Sequence, residues 1–179
     1  MLAAGSVLAR SGEVGASEQR WFRFVNDLPA AVLPPTWVVM QAGSIGGALG
    51  ASALVAATGR RTVGARMAVA ASVAWVAAKA GKRVVKRRRP SVEHDVARML
   101  GRAAPGLGYP SGHAAVAAAV VAAASPELPP GWRRAAWAGA LLVGPARLYV
   151  GAHLPLDAVG GVALGVVVGT LSRHTRVLV

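Results

Sequence analysis

The chain has 179 residues, is 54% hydrophobic, and carries 20 Lys+Arg against 7 Asp+Glu for a formal net charge of +13. An apolar fraction this high excludes a disordered basic tail and a densely charged soluble nucleic-acid binder, and zero cysteines exclude disulfides and thiolate metal sites. A single membrane-embedded domain whose cations face anionic groups reconciles the charge with the mean hydropathy of +0.47.

Residues 1–10 lack a basic n-region and a long apolar run, so no cleaved signal peptide is expected there. Between Glu18 and Leu28, the residues Trp21, Phe24, Val25 and Leu28 recur at helical spacing, with Arg20, Arg23 and Asp27 between them. This pattern predicts an amphipathic helix lying at the membrane interface, ended by three prolines within residues 26–35. It defines an N-terminal segment, residues 1–32, ahead of a transmembrane domain, residues 33–179.

Residues 33–58 carry no charge. At ~1.5 Å per residue they can cross a hydrocarbon core of ~30 Å. Further apolar stretches cover residues 63–80, 113–124, 135–150 and 156–171, so the expected fold is all-α, an integral membrane bundle of about five transmembrane helices plus the interfacial helix. The last three stretches are short for free-standing spans, which suits helices that begin below the surface at a polar site. They are built from Ala, Gly and Val, and small residues let membrane helices approach closely where lipid supplies no hydrophobic drive. Gly43, Gly46, Gly47 and Gly50 are expected to give the first span such a face. A compositional bias toward Ala, Gly and Arg would yield the same residues.

Three clusters lie at the ends of apolar stretches. Residues 82–90 read Lys-Arg-Val-Val-Lys-Arg-Arg-Arg-Pro, and Lys82 and Arg89, seven apart, are expected to project from one face of a helix that Pro90 ends. Tyr109-Pro110-Ser111-Gly112-His113 opens the third apolar helix, and Arg147, His153 and Asp157 span the turn between the fourth and the fifth.

Lys-x6-Arg-Pro, Pro-Ser-Gly-His and Arg-x5-His-x3-Asp, in that order, resemble the tripartite signature of the type 2 phosphatidic acid phosphatase (PAP2) superfamily of membrane lipid phosphate phosphatases. The third motif of that family often begins Ser-Arg, whereas here Ala146 precedes Arg147, which removes a hydroxyl but no charge.

Phosphoryl transfer builds negative charge on equatorial oxygens, and fixed cations and N–H donors stabilise it. Arg89 and Arg147 can each offer a bidentate fork, Lys82 a point charge, Ser111 its hydroxyl, and the Ser111–Gly112 backbone N–H groups at a helix N-terminus. His153 and His113 are the candidates for nucleophile and proton donor. With Pro155 in a first helical turn, Asp157 can reach back to His153 Nδ1 and leave Nε2 free to attack. The family resemblance implies the same roles: a phosphohistidine on His153, protonation of the leaving oxygen by His113, and release by water, without metal or other cofactor. His94 and His174 lie outside the motifs, and no His/Asp/Glu cluster has metal-ligand spacing.

The other cations of the first cluster, Arg83, Lys86, Arg87 and Arg88, read as juxtamembrane charge contacting anionic lipid. Glu93, His94 and Asp95 read as a solvated loop, Tyr109 as packing beside the pocket, and Trp37 and Trp132 as interfacial anchors. Nucleic acid is not an expected partner, because the basic cluster lacks interleaved aromatics. The expected function is hydrolysis of a lipid phosphate or prenyl diphosphate in a bacterial plasma membrane, with the site on the outer face by family resemblance. A phosphotransferase using the same histidines and a non-catalytic anionic-lipid-binding module are the alternatives.

Overall fold

The computed structural model describes residues 5–7, 9, 14–90, 97–101 and 106–174. The principal helices in chain order are α1 (Ala16–Asn26), α2 (Leu33–Ala42), α3 (Ile45–Ala57), α4 (Arg61–Val85), α5 (Gly112–Ala124), α6 (Pro130–Tyr149) and α7 (Pro155–Leu171). Among the described residues the only extended pairing is an isolated bridge between Arg88 and Leu107. The architecture is the expected all-α membrane bundle, and the apolar stretches coincide with α2–α3, α4, α5, α6 and α7. By length and hydropathy α4 can cross a membrane alone, whereas Ala30–Ala42 and Ile45–Ala57 pass that test only together, bent by 62°.

That bend corrects the expectation of one continuous first span. Ser44 adopts an extended backbone and its side chain accepts the Gly47 N–H, so α3 starts afresh with its own N-cap. Two of the four glycines serve the bend. A Cβ on Gly43 would lie 2.6 Å from the His113 carbonyl oxygen, and one on Gly47 would lie 2.1 Å from that of Gln41. Gly46 and Gly50 would meet nothing within 4 Å, so the four do not form a helix-packing face.

The central helix is α5, whose alanines at 114, 115, 117–119 and 122–124 are all buried. On one side α4 sets Ala70, Ala74 and Ala78 against Ala115, Ala119 and Ala123. On the other, α7 sets Gly161, Gly165 and Gly169 one turn apart along α5. Added Cβ atoms there would lie 2.4 Å from Ser111 O, 2.2 Å from Ala115 O and 2.3 Å from Ala119 O, respectively. The two helices therefore meet backbone to backbone, as small-residue membrane pairs do. This contact fixes the N-terminal ends of α5 and α7 side by side, where the second motif begins and the third ends.

The amphipathic helix is present as α1, and Trp21 and Phe24 are exposed and in edge-to-face contact. It also docks on the bundle, because its opposite face, Glu18, Phe22 and Asn26 at i, i+4 and i+8, turns inward. Phe22 packs with Leu148, Leu154 and Ala158. Asn26 Nδ2 donates to the carbonyls of Leu148, Tyr149 and Arg98, and its Oδ1 accepts the Arg98 N–H at 2.8 Å. These bonds satisfy the Tyr149 carbonyl at the end of α6 and supplement the Gly151 N–H that Leu148 O accepts. Val25 and Leu28, expected on the interfacial stripe, are partly buried against the cluster of Met40, Tyr149 and Val150.

Candidate active site

Lys82 lies in the last turn of α4, which ends at Val85, well before Pro90. Lys86 takes the left-handed conformation (φ 58°), and its N–H donates to Lys82 O. This is the helix-stop geometry that usually calls for glycine. Lys82 and Arg89 therefore do not share a helical face. The turn folds residues 87–89 back along residues 107–108, where the Gly108 N–H donates to Arg87 O at 2.7 Å. It still delivers both cations to one place.

That place is a cavity of about 460 Å³ lined by Lys82, Arg89, Gly112, His113, Arg147 and His153. The bend residues 43–46, together with Trp75 and Lys79 of α4, complete its wall. Lys82 Nζ donates to the carbonyls of Leu107 and Gly108, both at 2.8 Å. Arg89 Nη1 donates to Ala152 O at 3.0 Å, and Arg147 Nη1 lies 3.4 Å from Met40 Sδ. Among the described residues no carboxylate forms an ion pair with any of these three cations. The Nε atoms of Arg89 and Arg147 are buried without a hydrogen-bond partner among the described residues. Burial holds the Arg89 guanidinium below its ordinary range, and the charge of Asp157 only partly offsets this. At Gly112 an added Cβ would meet nothing nearer than Ala78 Cβ at 3.9 Å, which leaves the cavity floor open to close backbone approach.

His153 sits in the turn between α6 and α7, 2% exposed, with Nδ1 3.4 Å from Asp157 Oδ2. That is longer than a well-formed hydrogen bond but within ion-pair reach. With Nδ1 turned to Asp157, Nε2 is the nitrogen left for chemistry. Burial pushes the His153 imidazole down to about 3 despite the opposing pull of Asp157, so the ring is neutral near pH 7. Asp157 and Ser111 do not line the cavity but stand fully buried behind it. Asp157 Oδ2 accepts the Leu154 N–H at 2.9 Å, and Asp157 O accepts the Ser111 N–H at 2.9 Å. Ser111 Oγ has no hydrogen-bond partner among the described residues.

One cation departs from its expected role. Arg83, Lys86 and Arg88 are exposed, as lipid-facing charges would be, but Arg87 is 2% exposed. Its Nη1 donates to Asp157 Oδ1 at 3.1 Å and to Glu18 Oε1 at 3.0 Å, and its Nη2 donates to Glu18 Oε2 at 2.6 Å. Burial works against this charge, but the hydrogen bonds and charges of Glu18 and Asp157 outweigh it and raise the guanidinium above its ordinary range. Glu18, which by sequence only opens the amphipathic segment, is thereby tied to the third motif. Its signal in the sequence is its i, i+4, i+8 spacing with Phe22 and Asn26. Tyr109 is buried against Gly160, where an added Cβ would lie 2.4 Å from its ring. Glu93, His94 and Asp95 lie outside the described residues. Among the described residues no group of three or more His, Cys, Asp or Glu could hold a metal ion.

The model of the PAP2 superfamily matches residues 61–177, a span that contains every motif residue above. In structure the chain is similar to LpxE of Aquifex aeolicus, with a TM-score of 0.80 and 21% identity over 89% of this chain and 96% of that one. It is also similar to a transmembrane PAP2-type phosphatidylglycerolphosphate phosphatase of Bacillus subtilis, with a TM-score of 0.74 and 20% identity over 96% of this chain and 92% of that one. At these identities the two structures establish a shared fold. No curated protein matches the chain.

Proposed function

The chain belongs to the PAP2 superfamily, and on that premise we propose that it is a membrane phosphatase acting on a lipid phosphate or prenyl diphosphate through a phosphohistidine. The observation that carries this reading is the convergence on one cavity of Lys82, Arg89 and Arg147, none paired with a carboxylate among the described residues, beside His153 with Asp157 at its Nδ1. Three cations held by neutral partners suit a ligand that brings its own negative charge. A neutral, oriented imidazole is a nucleophile at physiological pH.

In the reaction so read, the two arginines and Lys82 grip the phosphoryl oxygens. His153 Nε2 forms a bond to phosphorus while the bond to the lipid oxygen breaks, and His113 gives its proton to that leaving oxygen. Water then attacks phosphorus, His113 takes up the water proton, the P–N bond breaks and phosphate departs. Asp157 stabilises the imidazolium character that develops on His153. Charge stabilisation comes from side chains of the chain itself. The enzyme would face the outer side of a bacterial plasma membrane, where spent lipid carriers are dephosphorylated.

Phosphate release is measured with undecaprenyl diphosphate, other prenyl phosphates, phosphatidic acid and phosphatidylglycerol phosphate, for wild type and His153→Ala. Release from at least one substrate is expected from wild type and none from the variant. Activity that survives His153→Ala would overturn the reading.

A further inference from the structure

Outside the motif residues, the buried ion-paired cluster of Glu18 and Arg87 joins α1 to the turn that carries His153 and Asp157. We propose that Glu18 and Arg87 are positioning residues for the Asp157–His153 pair, so that the N-terminal helix is a working part of the active site. The inference rests on the reading of His153 as the nucleophile. Neither residue lines the cavity, so both act through Asp157.

The geometry carries the claim. Every oxygen of the Asp157 carboxylate is engaged: Oδ1 accepts from Arg87, and Oδ2 accepts the Leu154 N–H and faces His153 Nδ1. Rotation of this carboxylate about its own axis is therefore opposed from both sides. The His153 contact, at 3.4 Å, is the loosest member of the set and has the least margin for misalignment. Arg87 in turn is gripped by both Glu18 oxygens in the bidentate arrangement that best fixes a guanidinium plane. Glu18 Oε1 also accepts the Leu156 N–H at 2.8 Å, which caps the first turn of α7 from outside. One carboxylate on α1 thus holds both the cation that orients Asp157 and the helix start that carries Asp157.

A purely stabilising role explains this less well. Buried ion pairs are weak contributors to stability because desolvation offsets attraction. The bilayer-facing role expected of Arg87 is ruled out by its burial. The far end of α1 is pinned independently by Asn26, so Glu18 is not needed merely to attach the helix.

The test uses the full chain in detergent micelles with 15N-labelled histidine. Glu18→Ala, Glu18→Gln and Arg87→Lys are compared with wild type on phosphatidylglycerol phosphate and undecaprenyl diphosphate. Expected are a kcat at least tenfold lower for Glu18→Ala with KM within threefold, partial recovery in Glu18→Gln, and a shifted or broadened His153 Nδ1 signal in both. A folded Glu18→Ala protein with kcat within twofold of wild type and an unmoved His153 signal overturns the proposal. So does a loss of activity accounted for wholly by a smaller folded fraction. Should Glu18→Ala not fold, Glu18→Gln and Arg87→Lys are judged by the same two readouts. If wild type releases no phosphate from any substrate, the phosphatase reading fails, and the histidine signals alone decide whether Glu18 positions His153.

Discussion

Replacing Gly165 by alanine adds one methyl group where α7 lies on the backbone of α5. The new Cβ would start 2.2 Å from Ala115 O and 2.8 Å from Ala118 Cβ. Ordinary contact begins near 3.4 Å, so the helices must part locally by 3.4 − 2.2 = 1.2 Å. Neither obstacle is the tip of a flexible side chain, so the strain cannot be relieved by a rotamer change. Overpacking of this kind costs roughly 1–3 kcal/mol. The better helix propensity of alanine returns about 1 kcal/mol of that. The site lies two turns away, where Ser111 N–H donates to Asp157 O across the same helix pair. Displacement of a reacting group by ~1 Å can cost ~10²-fold in rate. With the parting damped over two turns, a loss of about tenfold in kcat is expected. The assay pairs thermal unfolding in detergent with phosphate release, and Gly50→Ala serves as the control because nothing lies within 4 Å of its added Cβ. A Gly165→Ala protein that melts at or above wild type with kcat within twofold would refute the close-packing argument.

Three further outcomes are expected. Arg147→Met should lower kcat/KM by about 10²-fold or more, equivalent to roughly 3 kcal/mol of transition-state stabilisation, and weaken inhibition by vanadate in parallel. Arg147→Lys should restore little of either, since a point charge cannot reproduce the fork. The 15N signals of His153 should keep their neutral form from pH 8 to pH 5, because burial holds this imidazole at about 3; a transition near 6.5 would contradict that. The same shift makes the folded state lose stability as pH falls from about 6.5 toward 3, since only the unfolded chain takes up the proton in that window. Asn26→Ala should strand the Tyr149 carbonyl, while Leu148 O keeps the Gly151 N–H, at a cost of roughly 1–3 kcal/mol, read as a lower melting temperature and easier proteolysis within residues 14–30.

The candidate cluster was legible because charge inside an apolar chain is conspicuous. Lys82, Arg89, His113, Arg147 and His153 fall in clusters at the ends of apolar stretches, and the structure brings them all to one cavity. What stayed hidden depends on contacts remote in sequence. Arg87 is one of four consecutive basic residues, and its burial follows from a left-handed Lys86, a conformation lysine does not advertise. Its partner Glu18 is 69 residues away. The helix-packing glycines could have been found. Gly161, Gly165 and Gly169 recur every four residues, the period of a helix face, whereas Gly43, Gly46, Gly47 and Gly50 mix spacings of three, one and three. The break at Gly43–Ser44 was masked by uniform hydropathy, since a capping serine adds no charge to the run.

The cation cage has a thermodynamic corollary. Lys82, Arg89 and Arg147 rest on carbonyl groups and a thioether, so the empty folded state carries repulsion that the unfolded chain, with its cations dispersed in water, does not. An anion of the right shape relieves that repulsion only in the folded state. Its binding is therefore also a folding force, worth ~2.7 kcal/mol at a concentration a hundred times its Kd. Inorganic phosphate, the product of the proposed reaction, would then be a thermal protectant and a brake on turnover at once. The melting temperature then serves as an occupancy gauge that needs no knowledge of the lipid tail.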